Sequence, residues 1–122
     1  MHQIQIFNHE EFGEVRTIEI DSEIYFVGTD VAKALGYKNT RDALKNHVDK
    51  EDVVKRYPLL TNGGIQKVNI INESGLYSLI LASKLPGAKK FKHWVTSEVL
   101  LAIRKTGAYN PNPQKIEIKP TV

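Results

Sequence analysis

A chain of 122 residues, 41% hydrophobic and 25% charged, has the composition of one globular domain or one domain with a tail. It holds no cysteine, which excludes a disulfide framework and every thiolate metal site. The net charge of +3 is unevenly spread, with −6 over residues 1–32, +3 over residues 33–83 and +6 over residues 84–122, so a basic face able to meet a polyanion is expected.

The opening reads as an antiparallel meander. Ile4 and Ile6 begin an apolar alternation, residues 8–13 are turn material, and Val15, Ile18 and Ile20 resume the alternation. Asp21-Ser22 is a short turn before Ile24-Tyr25-Phe26-Val27, giving strands at residues 3–7, 14–20 and 23–27. The period then changes. Thr29 or Asp30 is expected to cap a helix with Val31, Ala32 and Leu35 on its apolar side, and Gly36 to stop it in the left-handed conformation. Asn39 opens a second helix that ends near Asp49. Residues 53–57 and 66–71 read as a hairpin whose loop contains Asn62-Gly63-Gly64.

Asn72 caps a helix running to Ser83. Pro86 suits the first turn of a last helix in which Phe91, Trp94, Val95, Val99, Ala102 and Ile103 recur at helical spacing as far as about Lys105. Gly107 is expected to end it. Asn110-Pro111-Asn112-Pro113 then reads as a stiff linker and the remainder as a tail. The predicted class is α+β: a small antiparallel sheet with a β-hairpin and about four helices, including a helix-turn-helix-like pair.

That pair carries the most information. A short helix, a turn holding Gly36, and a second helix with Arg41, Lys45 and Asn46 follow the order of a helix-turn-helix, whose second helix enters the major groove. Arg and Lys reach guanine O6 and N7 there, and Asn pairs with adenine. From the pattern alone, two packed helices with polar outer faces explain the segment more economically. The hairpin, with Lys55, Arg56 and Lys67 beside a flexible loop, suits phosphate contacts as a wing; an ordinary half-buried hairpin is the simpler account. Lys89, Lys90 and Lys92 form a second basic cluster at the start of the last helix, where the helix dipole disfavours cations. Phe91, Trp94 and Tyr77 fall on apolar stripes and are expected in the core.

Enzymatic signals are absent from the sequence. The four histidines have no metal-ligand spacing, and neither a phosphate-binding glycine motif nor a nucleophile elbow occurs. No catalytic residue, cofactor or metal is expected. No apolar run approaches the ~20 residues of a membrane-spanning helix, and the first residues lack the layout of a signal peptide. The expected compartment is the cytoplasm.

The segments Phe26-Val27-Gly28-Thr29-Asp30-Val31-Ala32-Lys33-Ala34-Leu35-Gly36-Tyr37, His47-Val48, Ile71-Asn72-Glu73-Ser74-Gly75-Leu76-Tyr77, Ala88-Lys89-Lys90-Phe91-Lys92-His93-Trp94-Val95 and Ile103-Arg104-Lys105-Thr106-Gly107-Ala108-Tyr109 occur in this order. Together they resemble the N-terminal (Bro-N) domain of the BRO family, found in prophage antirepressors and baculovirus proteins. The resemblance covers roughly residues 4–109. It implies an α+β fold, a phage or prophage source in a bacterial host cell, DNA binding, and relief of repression by a phage repressor. It also implies a division into a Bro-N-like domain, residues 1–109, and a linker or tail, residues 110–122, leading to a further C-terminal domain. One departure is visible: the family pattern has proline after Val99-Leu100, where this chain has Leu101. Leucine lets the last helix run on with its hydrogen bonds intact and adds an apolar side chain suited to a dimer contact.

The resulting expectation is a non-enzymatic domain that binds double-stranded DNA and controls the lysogeny/lytic switch. Arg41, Lys45 and Asn46 are assigned to the groove; Lys38, Lys55, Arg56 and Lys67 to phosphates; and Lys89, Lys90 and Lys92 to a second patch. These assignments come from charge and predicted geometry, not from the resemblance. The alternative is a protein-interaction module that inactivates a phage repressor without touching DNA, and a homodimer is a third possibility.

Overall fold

The computed structural model describes residues 2–105. The Gly107 stop, the linker at 110–113 and the tail to Val122 lie outside the described residues. Three strands open the chain as expected: β1 (His2–His9), β2 (Gly13–Ile20) and β3 (Glu23–Val27). Asp21 (φ 50°) and Ser22 (φ 69°) both take positive φ in the turn joining β2 to β3. That is the backbone of a type I′ turn, whose twist matches the strands it joins. Two helices follow, α1 (Gly28–Ala34) and α2 (Thr40–His47). After a single 3₁₀ turn at Lys50–Asp52 come β4 (Val53–Thr61) and β5 (Gly64–Ile71). Then α3 (Glu73–Ala82), α4 (Gly87–Trp94) and α5 (Leu100–Lys105) close the described chain.

The five strands form one antiparallel sheet in the order β1-β2-β3-β5-β4. The chain leaves β3, passes through α1 and α2, enters the outer edge as β4 and returns inward as β5. Cross-strand partners share a face. Ile24, Phe26 and Ile71 point to the face that carries the main core, where Val31, Leu44, Leu76, Leu79, Phe91, Val95 and Val99 pack against them. Ile18, Val27 and Ile70 point to the other face and build a smaller core with Leu59 and Val68. The β4–β5 hairpin, hereafter the arm, is therefore anchored through the side of it that carries Leu59 and Val68.

Three sequence expectations need correction. The first concerns the start of α1. Neither Thr29 nor Asp30 caps it; the helix begins at Gly28, and the preceding Val27 makes no side-chain cap. Asp30 lies in the first turn, and its carboxylate accepts from Arg16 Nε at 2.8 Å, Nη2 at 2.9 Å and the Arg16 backbone N–H at 3.1 Å. This bidentate hydrogen bonding raises the Arg16 pKa above its ordinary value. Asp30 thus clamps α1 to β2. Gly28 is needed because a Cβ there would lie 2.8 Å from Leu44 Cδ2 and 3.3 Å from the Asn69 carbonyl oxygen.

The second correction concerns the hairpin. Its strands extend well into the expected loop, to Thr61 and from Gly64, leaving Asn62-Gly63 as a two-residue turn. Pro58 does not break β4 because β4 is an edge strand.

The third concerns the last helix. It continues beyond Leu100 but is interrupted earlier by a π turn at Val95–Val99. Thr96 Oγ1 donates to the carbonyl of Lys92 at 2.8 Å, and Ser97 Oγ donates to that of His93. Hydroxyls that compete for these carbonyls loosen the regular ladder. The backbone stays right-handed helical at Val95 and Leu100, so α4, the π turn and α5 are one rod.

The remaining helix signals are read correctly. Gly36 (φ 84°) follows α1 with Tyr37 N–H on the Ala32 carbonyl and Gly36 N–H on that of Lys33, both at 3.0 Å. This is a Schellman closure, and a side chain at Gly36 would run into Leu85. Asn39 Oδ1 accepts from Asp42 N–H at 3.1 Å, and Asn72 Oδ1 accepts from Gly75 N–H at 2.9 Å. Phe91 and Trp94 are buried with Phe12, whose ring meets Phe91 edge-on at 5.2 Å; Tyr77 is half-buried against the same core. Among the described residues, no helix is long and apolar enough to cross a membrane.

Candidate nucleic-acid interface

Helix α2 buries Ala43 and Leu44 and exposes Arg41, Lys45 and Asn46. Arg41 and Lys45 lie four residues apart and so share one side of the helix. That side faces the base of the arm. Between them runs a groove of about 290 Å³ lined by Arg41, Leu44, Lys45, Val48, Lys50, Val53, Lys55 and Asn69. Its floor is apolar, from Leu44, Val48 and Val53. Its rim carries four cations, and among the described residues no carboxylate lines it. Like charges gathered in a concave site focus positive potential and favour an anionic partner.

The arm adds to this surface. No Asp or Glu occurs from Val53 to Ile71, while Lys55, Arg56 and Lys67 do. β4 is one residue longer than β5 between the pairs Val54↔Ile70 and Tyr57↔Val68, so it bulges. Arg56 stands in this bulge with φ 52°, a left-handed conformation uncommon for a long side chain. Its N–H donates to Asn69 Oδ1 at 3.0 Å, so Asn69 both lines the groove and holds the bulge. Lys67 is two residues from Asn69 and therefore lies on the same strand face.

The structure brings Arg41, Lys45 and Lys55 together and adds Lys50, which the sequence reading overlooked. Lys50 sits among Asp49, Glu51 and Asp52, so its local charge reads as acidic. The 3₁₀ turn holds Lys50, Glu51 and Asp52 together, and of these three Lys50 lines the groove. Lys38 is exposed in the turn before α2, and Asn46 is exposed on α2 without lining the groove. Lys89, Lys90 and Lys92 lie on α4, and none of them lines this groove. Lys90 is engaged elsewhere, since its Nζ donates to Glu11 Oε1 at 2.7 Å and that bond raises its pKa. Glu11 supplies the negative charge that the first turn of α4 lacks. Lys92 borders a separate shallow hollow with Tyr77, Ile80 and Leu81. The two basic clusters are thus distinct places on the molecule.

Comparison with known proteins gives a consistent picture. The model of the BRO family, N-terminal domain, matches residues 14–101. An uncharacterized protein of Haemophilus influenzae is 40% identical over 116 residues, covering 95% of this chain and 57% of that protein. A Bro-N domain-containing protein of Invertebrate iridescent virus 6 is 39% identical over 107 residues, covering 74% of this chain and 26% of its own length. A Bro-N domain-containing protein of Acanthamoeba polyphaga mimivirus is 31% identical over 107 residues, covering 80% and 44%. The chain thus spans little more than half of the first of these relatives and less of the others. No solved structure matches it.

Proposed function

Since this chain belongs to the BRO family through its N-terminal domain, we propose that it is a non-enzymatic module that binds double-stranded DNA in a phage antirepressor-type regulator of the cytoplasm. The observation that carries the reading is the groove between α2 and the arm, rimmed by Arg41, Lys45, Lys50 and Lys55 and, among the described residues, lined by no acid. Phosphates supply the charge such a rim takes, and α2 then lies against the duplex with Arg41, Lys45 and Asn46 directed at base edges. Lys38, Arg56 and Lys67 flank that contact and extend it along the backbone.

Fluorescence anisotropy of the chain on a mixed-sequence duplex across a salt series tests this. The logarithm of affinity is expected to fall linearly with the logarithm of salt, by about 0.9 per neutralised phosphate. The double variant Lys50→Ala/Lys55→Ala is expected to bind more weakly and to flatten the slope by roughly two phosphates. The pair Lys89→Ala/Lys92→Ala, away from the groove, is expected to change the slope less. Equal effects from both pairs would remove the groove from the reading.

A second reading has one observation in its favour. Strand β1 is an open sheet edge with Ile4 41% and Ile6 56% exposed, a surface suited to a protein partner such as a phage repressor. Capture of that repressor after nuclease treatment, with no binding to the duplex at low salt, would favour this alternative.

A further inference from the structure

We propose that Leu60 and Ile65, at the tip of the arm, form a wedge that enters the minor groove of duplex DNA and partly unstacks a base step; this rests on the DNA-binding reading above. The two residues face each other across the hairpin and are 72% and 71% exposed. Such a pair contributes nothing to either core, since Leu59 and Val68 anchor the arm from its other side. The tip is narrow: Thr61 pairs with Gly64 across the two-residue turn, and Thr61 Oγ1 donates to the Gly64 carbonyl at 2.7 Å. A closed turn keeps the apolar pair together.

The surroundings of the pair select the occupant. Lys67 shares a strand face with Ile65, so the nearest cation of β5 looks the same way as the apolar pair. An arm without a single acid suits a polyanion rather than an apolar protein surface. Its reach fits as well. The five residue-to-residue steps from Lys55 to Leu60 span roughly 16 Å, which is about half of the ~34 Å turn of the duplex. With the groove cations on one stretch of backbone, the tip arrives at the neighbouring groove. Apolar side chains that enter the minor groove unstack steps and kink the duplex, most readily at TA and CA/TG steps.

The test uses the whole chain and a duplex with a central TA step, 2-aminopurine beside it, and a fluorophore pair on its ends. The unaltered chain is expected to brighten the 2-aminopurine and to shorten the end-to-end distance. Leu60→Ser/Ile65→Ser is expected to lose both signals while keeping the salt slope, and Leu60→Phe is expected to keep them. Both positions are exposed, so thermal unfolding should be unchanged, which separates a lost wedge from a lost fold. Binding by the unaltered chain without brightening, or equal brightening by the serine variant, overturns the wedge and leaves the groove reading standing. A fall in sedimenting size for the serine variant with unchanged DNA signals also overturns it and makes the tip a contact between copies. No binding by the unaltered chain removes both proposals.

Discussion

Arg56 is the residue at which fold and proposed function pull in opposite directions. A non-glycine residue in the left-handed region costs on the order of 1–2 kcal/mol, and here a long cationic side chain occupies it (φ 52°). Its neighbours explain how the conformation holds: the bulge is fixed by Asn69, whose Oδ1 accepts from the Arg56 N–H. Arg56→Gly removes the strain, although glycine's extra freedom in the unfolded chain offsets part of the gain. The expected outcome is equal or higher stability, by no more than about 1 kcal/mol, together with weaker DNA binding. Chemical denaturation and the salt-dependent anisotropy series read the two effects separately. A variant that loses both stability and affinity would make Arg56 a structural residue. Sequence inspection found the cation at this position but not its geometry, because nothing in Lys55-Arg56-Tyr57 marks a bulge. The extra residue is visible only once both strands are paired. For Asp30 the reverse applies: its position at a helix start suggested a cap, and only the distant Arg16 shows that it serves as a clamp.

Among the elements, α2 depends most on a local signal. It has eight residues, too few to persist alone in water, so its cap and its buried side must hold it. Asn39→Ala removes the bond to Asp42 N–H and is expected to cost about 1 kcal/mol. Because Arg41 and Lys45 are carried on this helix, the same change should weaken DNA binding without altering any charge. Thermal unfolding and anisotropy on one preparation check both parts; unchanged affinity would indicate that the groove does not depend on the helix end. Caps, stops and apolar stripes of this kind were legible because each depends on residues within four positions of one another. The arm was legible only at its base. Its strands were expected only over 53–57 and 66–71, and the pairing that carries β4 through Pro58 depends on its being an edge strand, a property of the whole sheet. The π turn was missed for a different reason: Thr96 and Ser97 are ordinary helix-surface residues until their hydroxyls compete for carbonyls one turn back.

On the scale of the whole molecule, the charge asymmetry of the sequence is partly an illusion of chain order. Acidic residues near the N-terminus and basic ones near the end are brought together where Glu11 meets Lys90, while the cations of the groove keep no such partner lining it. The groove joins residues from α2, the 3₁₀ turn and both strands of the arm, which no local pattern could assemble. Stability should respond to alkali through the tyrosines. Burial raises the hydroxyl pKa of Tyr25, Tyr37 and Tyr77 above 10.0. Above that value the unfolded chain gives up protons that the folded chain keeps, so stability is full below it and falls as pH rises past it. Tyr37 also donates to the Leu79 carbonyl at 2.9 Å. Tyr37→Phe is expected to cost roughly 1 kcal/mol near neutrality and to lessen the alkaline loss, as thermal unfolding against pH would show. An unchanged alkaline slope would take Tyr37 out of this account.

The bulge at Arg56 has a consequence for heredity. Alternate residues of the arm face opposite ways, so Leu59 and Val68 point to the face of the smaller core while Leu60, Ile65 and Lys67 point to the face that carries the helices. Losing one codon at Lys55 or Arg56 removes the extra residue and leaves Val54↔Ile70 and Tyr57↔Val68 two residues apart on both strands, so the ladder becomes regular and Leu59 and Leu60 keep their faces. Insertions at Asn62-Gly63, beyond the last paired residues, leave both faces as they are. The arm can therefore lose its bulge residue or vary in the length of its tip from one lineage to another without turning its faces over.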